Sequence, residues 1–382
     1  MLKQNNQIRL FKPSFDNEEI KSIKGVFKSP WLGYGSKVKE FENKFSKFLG
    51  SKFAIGLNSC TAALHLSLAV NRFKRKKKVL VPVMTFSATA AAILYNDLEP
   101  VFVDINSHNL NLNFEDLKRK YSKDCVALMA VHFGGHPCEM DKITSWAKRK
   151  KLIVIEDCAH TCGGEFKGRK LGTWGDFGCY SFEDKKIIST GDGGSLCSKS
   201  KKNFNLLKSI SFHGWSKDPW ERHLKRGKIN HWYYQVKNLG FKYNMTNLIA
   251  SIAIPQLKKL KKFNKIRIKL LNRYLVELKD LKHFKFAIDY KLKNSCYWLF
   301  ILKTKKRDTF INFLKSKGIS STVHLMPLNY HPLYKKYKAK TPISNQIWKE
   351  LVSLPLFIDM KKSQLDYIVK IIKQFDNNYN NY

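Results

Sequence analysis

Four short apolar runs, KKVLVPV (77–83), PVFVDI (100–105), VALMAVHF (126–133) and KLIVIED (151–157), each lead through a polar or glycine-bearing turn into a helical-looking stretch. Runs rich in β-branched residues that show no polar alternation are strands covered on both faces, and their alternation with helices is the pattern of βαβ units. The spacing therefore predicts an α/β chain with a parallel sheet between helices. One helix is expected at 36–50, where Val38, Phe41, Phe45 and Phe48 recur at helical spacing before Gly50 stops the run. Another is expected at 58–70, NSCTAALHLSLAV, opened by a polar cap. From about Asn247 to Leu281 the pattern is long and helical, and it leads to a remainder that mixes strand-like YWLFILKT (297–304) with amphipathic RDTFINFLKSKG. These shifts divide the chain into a large unit, 1–258, and a smaller α+β unit, 259–382. The asparagine-rich end, FDNNYNNY, reads as a frayed tail.

The charge balance is unusual: 70 Lys and Arg against 30 Asp and Glu give a net +40. A nucleic-acid binder concentrates its basic residues on one face or arm, interleaved with aromatics. Here RFKRKKK (72–78), KRKK (148–151), KSKK (199–202) and KKLKK (258–262) are spread along the whole length and are mostly lysine. That distribution describes a solvated lysine-rich surface, with attraction of an anionic, diphosphate-bearing ligand as the second reading; no nucleic-acid partner is expected. Eight scattered cysteines without a CxxC pair read as reduced, buried packing residues, and no metal site is expected. No stretch approaches the roughly 18 uncharged apolar residues of a spanning helix. The opening MLKQNNQIRLFKPSFDNEEI also lacks the apolar core of a secretory leader, so a cytoplasmic protein with no membrane partner is expected.

Chemistry concentrates between residues 154 and 194, VIEDCAHTCGGEFKGRKLGTWGDFGCYSFEDKKIISTGDGG. Asp157 ends an apolar strand, where open parallel sheets present ligand-facing groups. A carboxylate there can pair with a protonated pyridine nitrogen; taken alone it is equally an acid capping a turn. His160 can stack on or hydrogen-bond a cofactor ring, or be a packing histidine. Ser181 and the lysines of SFEDKKI suit a cofactor whose phosphate must be held and whose aldehyde must be captured as an imine. Lys185 and Lys186 are equal candidates on these grounds. Ser59, Cys60 and Thr61 lie where a loop enters a helix, a terminus that binds phosphate or is merely capped. Phe86, in PVMTFSATAAA, follows another strand and can lie flat against a planar ring or serve as core.

Taken together, KVKEFENKFSKFLG, NSCTAALHLSLAV, VPVMTFSATAAAILYNDLEPVFVDI, VHFGGHP, IEDCAHTCGGEFKGRKLGTWGDFGCYSF, TGDGG, LGFKYNMTNLIASIAIPQLKKL and SLPLF resemble, in order and spacing, the DegT/DnrJ/EryC1/StrS sugar aminotransferases. The resemblance implies the aspartate-aminotransferase-like fold, with a mostly parallel seven-stranded sheet in the large domain and a smaller C-terminal domain. It implies pyridoxal 5'-phosphate (PLP) as cofactor. The family's Ser-Phe-x-x-x-Lys pattern selects Lys186 as the Schiff-base lysine and leaves Lys185 a neighbour. Asp157 would pair with the pyridine nitrogen, His160 would contact the ring, and Phe86 would stack on it. Ser59, Cys60, Thr61 and Ser181 would hold the phosphate, together with Asn244 (in KYNMTN) reaching over from the other subunit of a homodimer with shared active sites. Cys60 stands where the family usually has glycine.

The implied reaction passes an amino group from L-glutamate to a nucleotide-diphosphate keto sugar, a step of nucleotide-sugar and polysaccharide biosynthesis such as O-antigen assembly. Trp31 and Tyr34 of WLGYG, and His324 and His331 of STVHLMPLNYHPLY, are candidate sugar and diphosphate contacts by position. Relatives that dehydrate their sugar carry histidine at the Schiff-base position; a dehydratase or a non-catalytic, cofactor-binding regulator is the alternative reading.

Overall fold

The computed structural model describes residues 7–217, 219–224, 232–290 and 295–382. Residues 1–6 of the opening segment lie outside that range. The predicted runs form strands at Lys78–Pro82, Glu99–Val103, Cys125–Val131 and Ile153–Asp157, within a residue or two of the expected bounds. They pair in parallel in the order 99–103, 78–82, 125–131, 153–157. Three further strands, Phe53–Leu57, Phe177–Ser181 and Gly194–Ser198, complete a seven-stranded sheet. Only Gly194–Ser198 runs against the rest, pairing antiparallel with both of its neighbours. The mostly parallel α/β sheet is thus as expected.

Helix Ser36–Leu49 buries Val38, Phe41 and Phe45 completely and Phe48 in part, and Gly50 ends it in the left-handed conformation at φ +68°. Helix Cys60–Ala69 is almost wholly buried and is capped by Ser59, whose Oγ accepts the Ala62 amide at 3.1 Å. A 31-residue helix, Asn247–Glu277, crosses the 258/259 boundary without a break. Beyond it, Lys285–Phe286, Phe300–Lys303 and Leu351–Leu354 make a three-stranded antiparallel sheet packed with helices Arg307–Ser316 and Lys362–Asn377.

Two expectations need correction. YWLFILKT is a strand only from Phe300; residues 295–299 are an irregular segment drawn inward by hydrogen bonds from the amides of Trp298 and Leu299 to Gly134 O. The FDNNYNNY end is docked rather than frayed: Tyr379 stacks on His283 at 4.1 Å and Tyr382 on Phe375 at 4.7 Å. Its aromatic rings bury area that an asparagine tail alone could not. All eight cysteines are free and buried. No helix among the described residues is long and apolar enough to cross a membrane.

Arg267, on the long helix, is buried, and its guanidinium donates to the carbonyls of Tyr297, Trp298 and Leu356 at 2.8–3.0 Å. Burial lowers its pKa to about 10, so the charge persists at neutral pH. Arg267→Met should cost about 3 kcal/mol, because three buried carbonyls lose their donor. A urea midpoint unchanged from wild type would contradict this.

Candidate active site

The sheet's C-terminal edge opens into a cavity of about 310 Å³. Its lining includes Ser59, Cys60, Thr61, Phe86, Asp157, His160, Ser181, Lys186 and His324. Sequence positions spread over more than 260 residues therefore meet at one place, the position expected for a ligand in an open parallel sheet.

Asp157 sits at the last position of its strand and is 4% exposed. Thr89 donates its hydroxyl to Oδ2 at 2.8 Å and Ala159 its amide to Oδ1 at 3.0 Å. Burial nevertheless raises the carboxyl above its ordinary range, against the pull of these donors and the Lys186 ammonium. A carboxylate so placed gains from one more cationic neighbour, which a protonated ring nitrogen is.

Lys186 lies in the loop after strand Phe177–Ser181. That loop is closed at its base by Phe182 N–H to Gly193 O at 2.9 Å and Thr190 N–H to Phe182 O at 2.8 Å. Burial lowers the amine's pKa, with Glu183 and Asp157 opposing the shift. Lys185, at the rim of the same cavity, is exposed and pairs with Glu183 at 3.4 Å. His160 accepts the Gly134 amide at Nδ1, 3.3 Å, and stacks on Trp298 at 4.1 Å. Burial, then the Lys186 charge, hold it well below the usual histidine range, so it stays neutral.

At the other end of the cavity the amides of Cys60 and Thr61 open helix Cys60–Ala69 and have no intrahelical acceptor. Gly194 packs against them: a Cβ there would lie 2.4 Å from Ser59 C and 2.5 Å from Cys60 N. Ser59 Oγ is spent on the helix cap. Phe86, 61% exposed, stands at the mouth just ahead of helix Ser87–Leu94. A half-buried amine, a desolvated carboxylate, an exposed aromatic face and a helix start with free amides fit a planar phosphorylated aldehyde such as PLP.

Other candidates lie elsewhere. Tyr34 is buried, with its hydroxyl on Glu42 at 3.3 Å, and Trp31 packs on Trp220 and His223. His331 precedes the short helix Pro332–Lys335. Asn244 pairs with Leu57 in an isolated bridge, and its buried Oδ1 has no partner. None of these four lines this chain's cavity. His324 does; it touches Ser353 Oγ at 2.9 Å, and burial followed by the Lys186 charge lowers it to about 4.

Sequence reasoning missed Thr89 and Trp298. The Thr85–Thr89 spacing, one helical turn after a strand, could have suggested Thr89, whose Oγ1 lies 2.8 Å from that of Thr85. Trp298 was hidden inside an apparent strand. The buried group His132, Glu156 and Cys158 has metal-like composition, yet both Glu156 oxygens are engaged. They accept the amides of Gly172 and Gly175 and the ring N–H of His132, at 2.7–3.1 Å.

Comparison with known proteins places this geometry in context. The model of the DegT/DnrJ/EryC1/StrS aminotransferase family matches residues 13–373. An uncharacterised protein of Methanocaldococcus jannaschii is 38% identical over 378 residues, 95% of this chain and 96% of that one. GDP-perosamine synthase of Escherichia coli O157:H7 is 29% identical, with 96% and 98% covered. A Streptococcus pneumoniae protein assigned as a sugar aminotransferase, solved in its PMP form, superposes with a TM-score of 0.90 at 25% identity, covering 97% and 99%.

Proposed function

Given that the chain belongs to the DegT/DnrJ/EryC1/StrS aminotransferase family and is a PLP-dependent sugar aminotransferase, we propose that it transfers an amino group from L-glutamate to the keto carbon of a nucleoside-diphosphate-linked hexose. The observation that carries the reading is the meeting of the Lys186 amine and the Asp157 carboxylate in one cavity with the free amides of Cys60 and Thr61. The bound cofactor supplies an electron sink for negative charge developing at the substrate carbon.

Lys186 anchors the cofactor through Nζ. Freed when the donor's amine takes its place, its Nζ would accept the proton of the donor's α-carbon as general base and give a proton back as general acid, in the opposite order when the sugar is aminated. Its lowered pKa favours the neutral amine that this task needs. Asp157, steadied by Thr89, would keep the ring nitrogen protonated. His160 would contact the ring as a neutral group, and Phe86 would cover it. The amides of Cys60 and Thr61, with the hydroxyls of Thr61 and Ser181, hold the phosphate; Ser59 contributes by capping the helix that presents them.

A second copy completes the site in this reading. Asn244 of the partner subunit reaches the phosphate with Nδ2, one of whose two N–H groups donates to Met245 O at 3.0 Å. Exposed Trp232, Val236 and Leu239, at 61%, 66% and 90%, are the apolar surface that such a homodimer would cover. Of the substrate candidates, His324 lines this chain's cavity; Trp31, Tyr34 and His331 are sugar or diphosphate contacts by position alone. The dispersed positive charge raises the local concentration of the anionic sugar nucleotide.

The test is direct. Holoenzyme should lose its visible absorption on mixing with glutamate and release 2-oxoglutarate. A panel of UDP-, GDP- and dTDP-linked keto sugars should then yield an amino sugar by mass. No bleaching would remove glutamate as donor, and no aminated product across the panel would remove the nucleotide-linked substrate.

A further inference from the structure

We propose that Trp298 is a positioning residue for Lys186: in the cofactor-free protein its indole face holds the amine in its protonated form, and its N–H fixes the backbone alongside. The proposal rests on Lys186 being the anchoring lysine. Nζ of Lys186 lies 3.8 Å from the Trp298 ring centroid, well inside the range in which an aromatic face attracts a cation. Trp298 Nε1 donates to Lys185 O at 2.7 Å, so one side chain grips both the amine and the peptide preceding it. His160 and Phe11 stack on the same indole at 4.1 and 4.9 Å, with interplanar angles of 21° and 3°.

This placement is built deliberately into the fold. Trp298 arrives from the C-terminal part of the chain, in the segment that Gly134 O draws inward. Gly135, at φ +90°, would put a Cβ 2.1 Å from Cys296 O, so only glycine lets the two segments meet. The Arg267 guanidinium holds the Trp298 carbonyl from below at 2.8 Å. A tryptophan needed only to fill space would not require a glycine close approach, a buried guanidinium and an indole hydrogen bond to aim it.

The amine's protonation balance then has a local lever. Glu183, Asp157 and Cys60 favour the charged amine, while burial and Lys185 oppose it; His160 and His324 are the other titratable groups against it. The indole face adds to the charged side without adding a counter-charge that would hold the amine permanently.

The experiment is capture of PLP by cofactor-free protein, followed by the growth of visible absorbance across pH. Capture needs the neutral amine: its nitrogen bonds to the aldehyde carbon, and the aldehyde oxygen leaves as water. The midpoint of rate against pH therefore reports the amine. Trp298→Leu should move the midpoint down by about one pH unit. Trp298→Phe, which keeps a face but loses the N–H, should stay within a few tenths of wild type. Graded fluorination of the indole at position 298 alone preserves shape while weakening the face, so it serves even where the leucine variant does not fold; the midpoint should fall with each fluorine. A midpoint that stays flat or rises overturns the proposal, since a merely structural tryptophan would change the amount captured rather than its pH dependence. Absence of capture in wild-type protein, or capture surviving Lys186→Ala, would instead overturn the anchoring assignment.

Discussion

Lys186→Ala should lower amino transfer by at least about 10⁴-fold, because one side chain both anchors the cofactor and moves the proton. The protein should still fold, because burial already opposes the charge that the substitution removes. Borohydride treatment of wild-type holoenzyme should fix the cofactor's mass on the peptide containing residue 186, and on no peptide in the variant. Lys185→Ala is the matched control. Its ammonium faces solvent beside Glu183, so activity should change by less than about threefold. Label retained in Lys186→Ala, or lost in Lys185→Ala, would reverse the two lysines' roles.

Asp157→Asn should reduce turnover by roughly 10²–10⁴-fold while leaving cofactor bound. Asparagine keeps one oxygen to accept the Ala159 amide and sets its NH2 against Thr89, whose hydroxyl can turn to accept, so the strand end keeps its shape; what disappears is the negative charge that keeps the ring nitrogen protonated. The cleanest check is Asp157→Ala loaded with a cofactor analogue methylated on that nitrogen, whose charge is permanent. It should recover part of the lost rate. No recovery, together with near-normal activity of Asp157→Asn, would mean that the carboxylate only caps a turn.

Much of this site could be read before any fold was known, for reasons that differ by residue. Asp157 was legible because an apolar run ending in an acid marks the ligand side of a parallel sheet. Ser59 was legible because polar residues ahead of an apolar helix mark its start, although the structure spends its hydroxyl on the cap. The choice between Lys185 and Lys186 was not available from the residues alone; periodicity assigns no direction to two neighbours in a loop, and only the family pattern separated them. Strands Phe53–Leu57 and Gly194–Ser198 were not singled out, since pentapeptides such as FAIGL and GSLCS carry too few residues to show a period. Trp298 was invisible for a different reason. Apolar YWLF reads as strand, whereas its first half is bent inward by a contact with Gly134 and Gly135, more than 160 residues earlier. Long-range close approaches leave a trace in sequence only as an unexplained glycine pair, here the one in VHFGGHP.

The burial of every cysteine gives the molecule an internal set of clocks. Burial also lifts the thiols of Cys60, Cys158 and Cys179 well above their ordinary range, so a maleimide finds neither an accessible sulfur nor a thiolate until the surrounding structure opens. Alkylation resolved by peptide mass would then time each region separately, with Cys60 reporting the phosphate end of the cavity and Cys296 the segment that delivers Trp298. Loading with cofactor should slow the first clock far more than the distant one at Cys125.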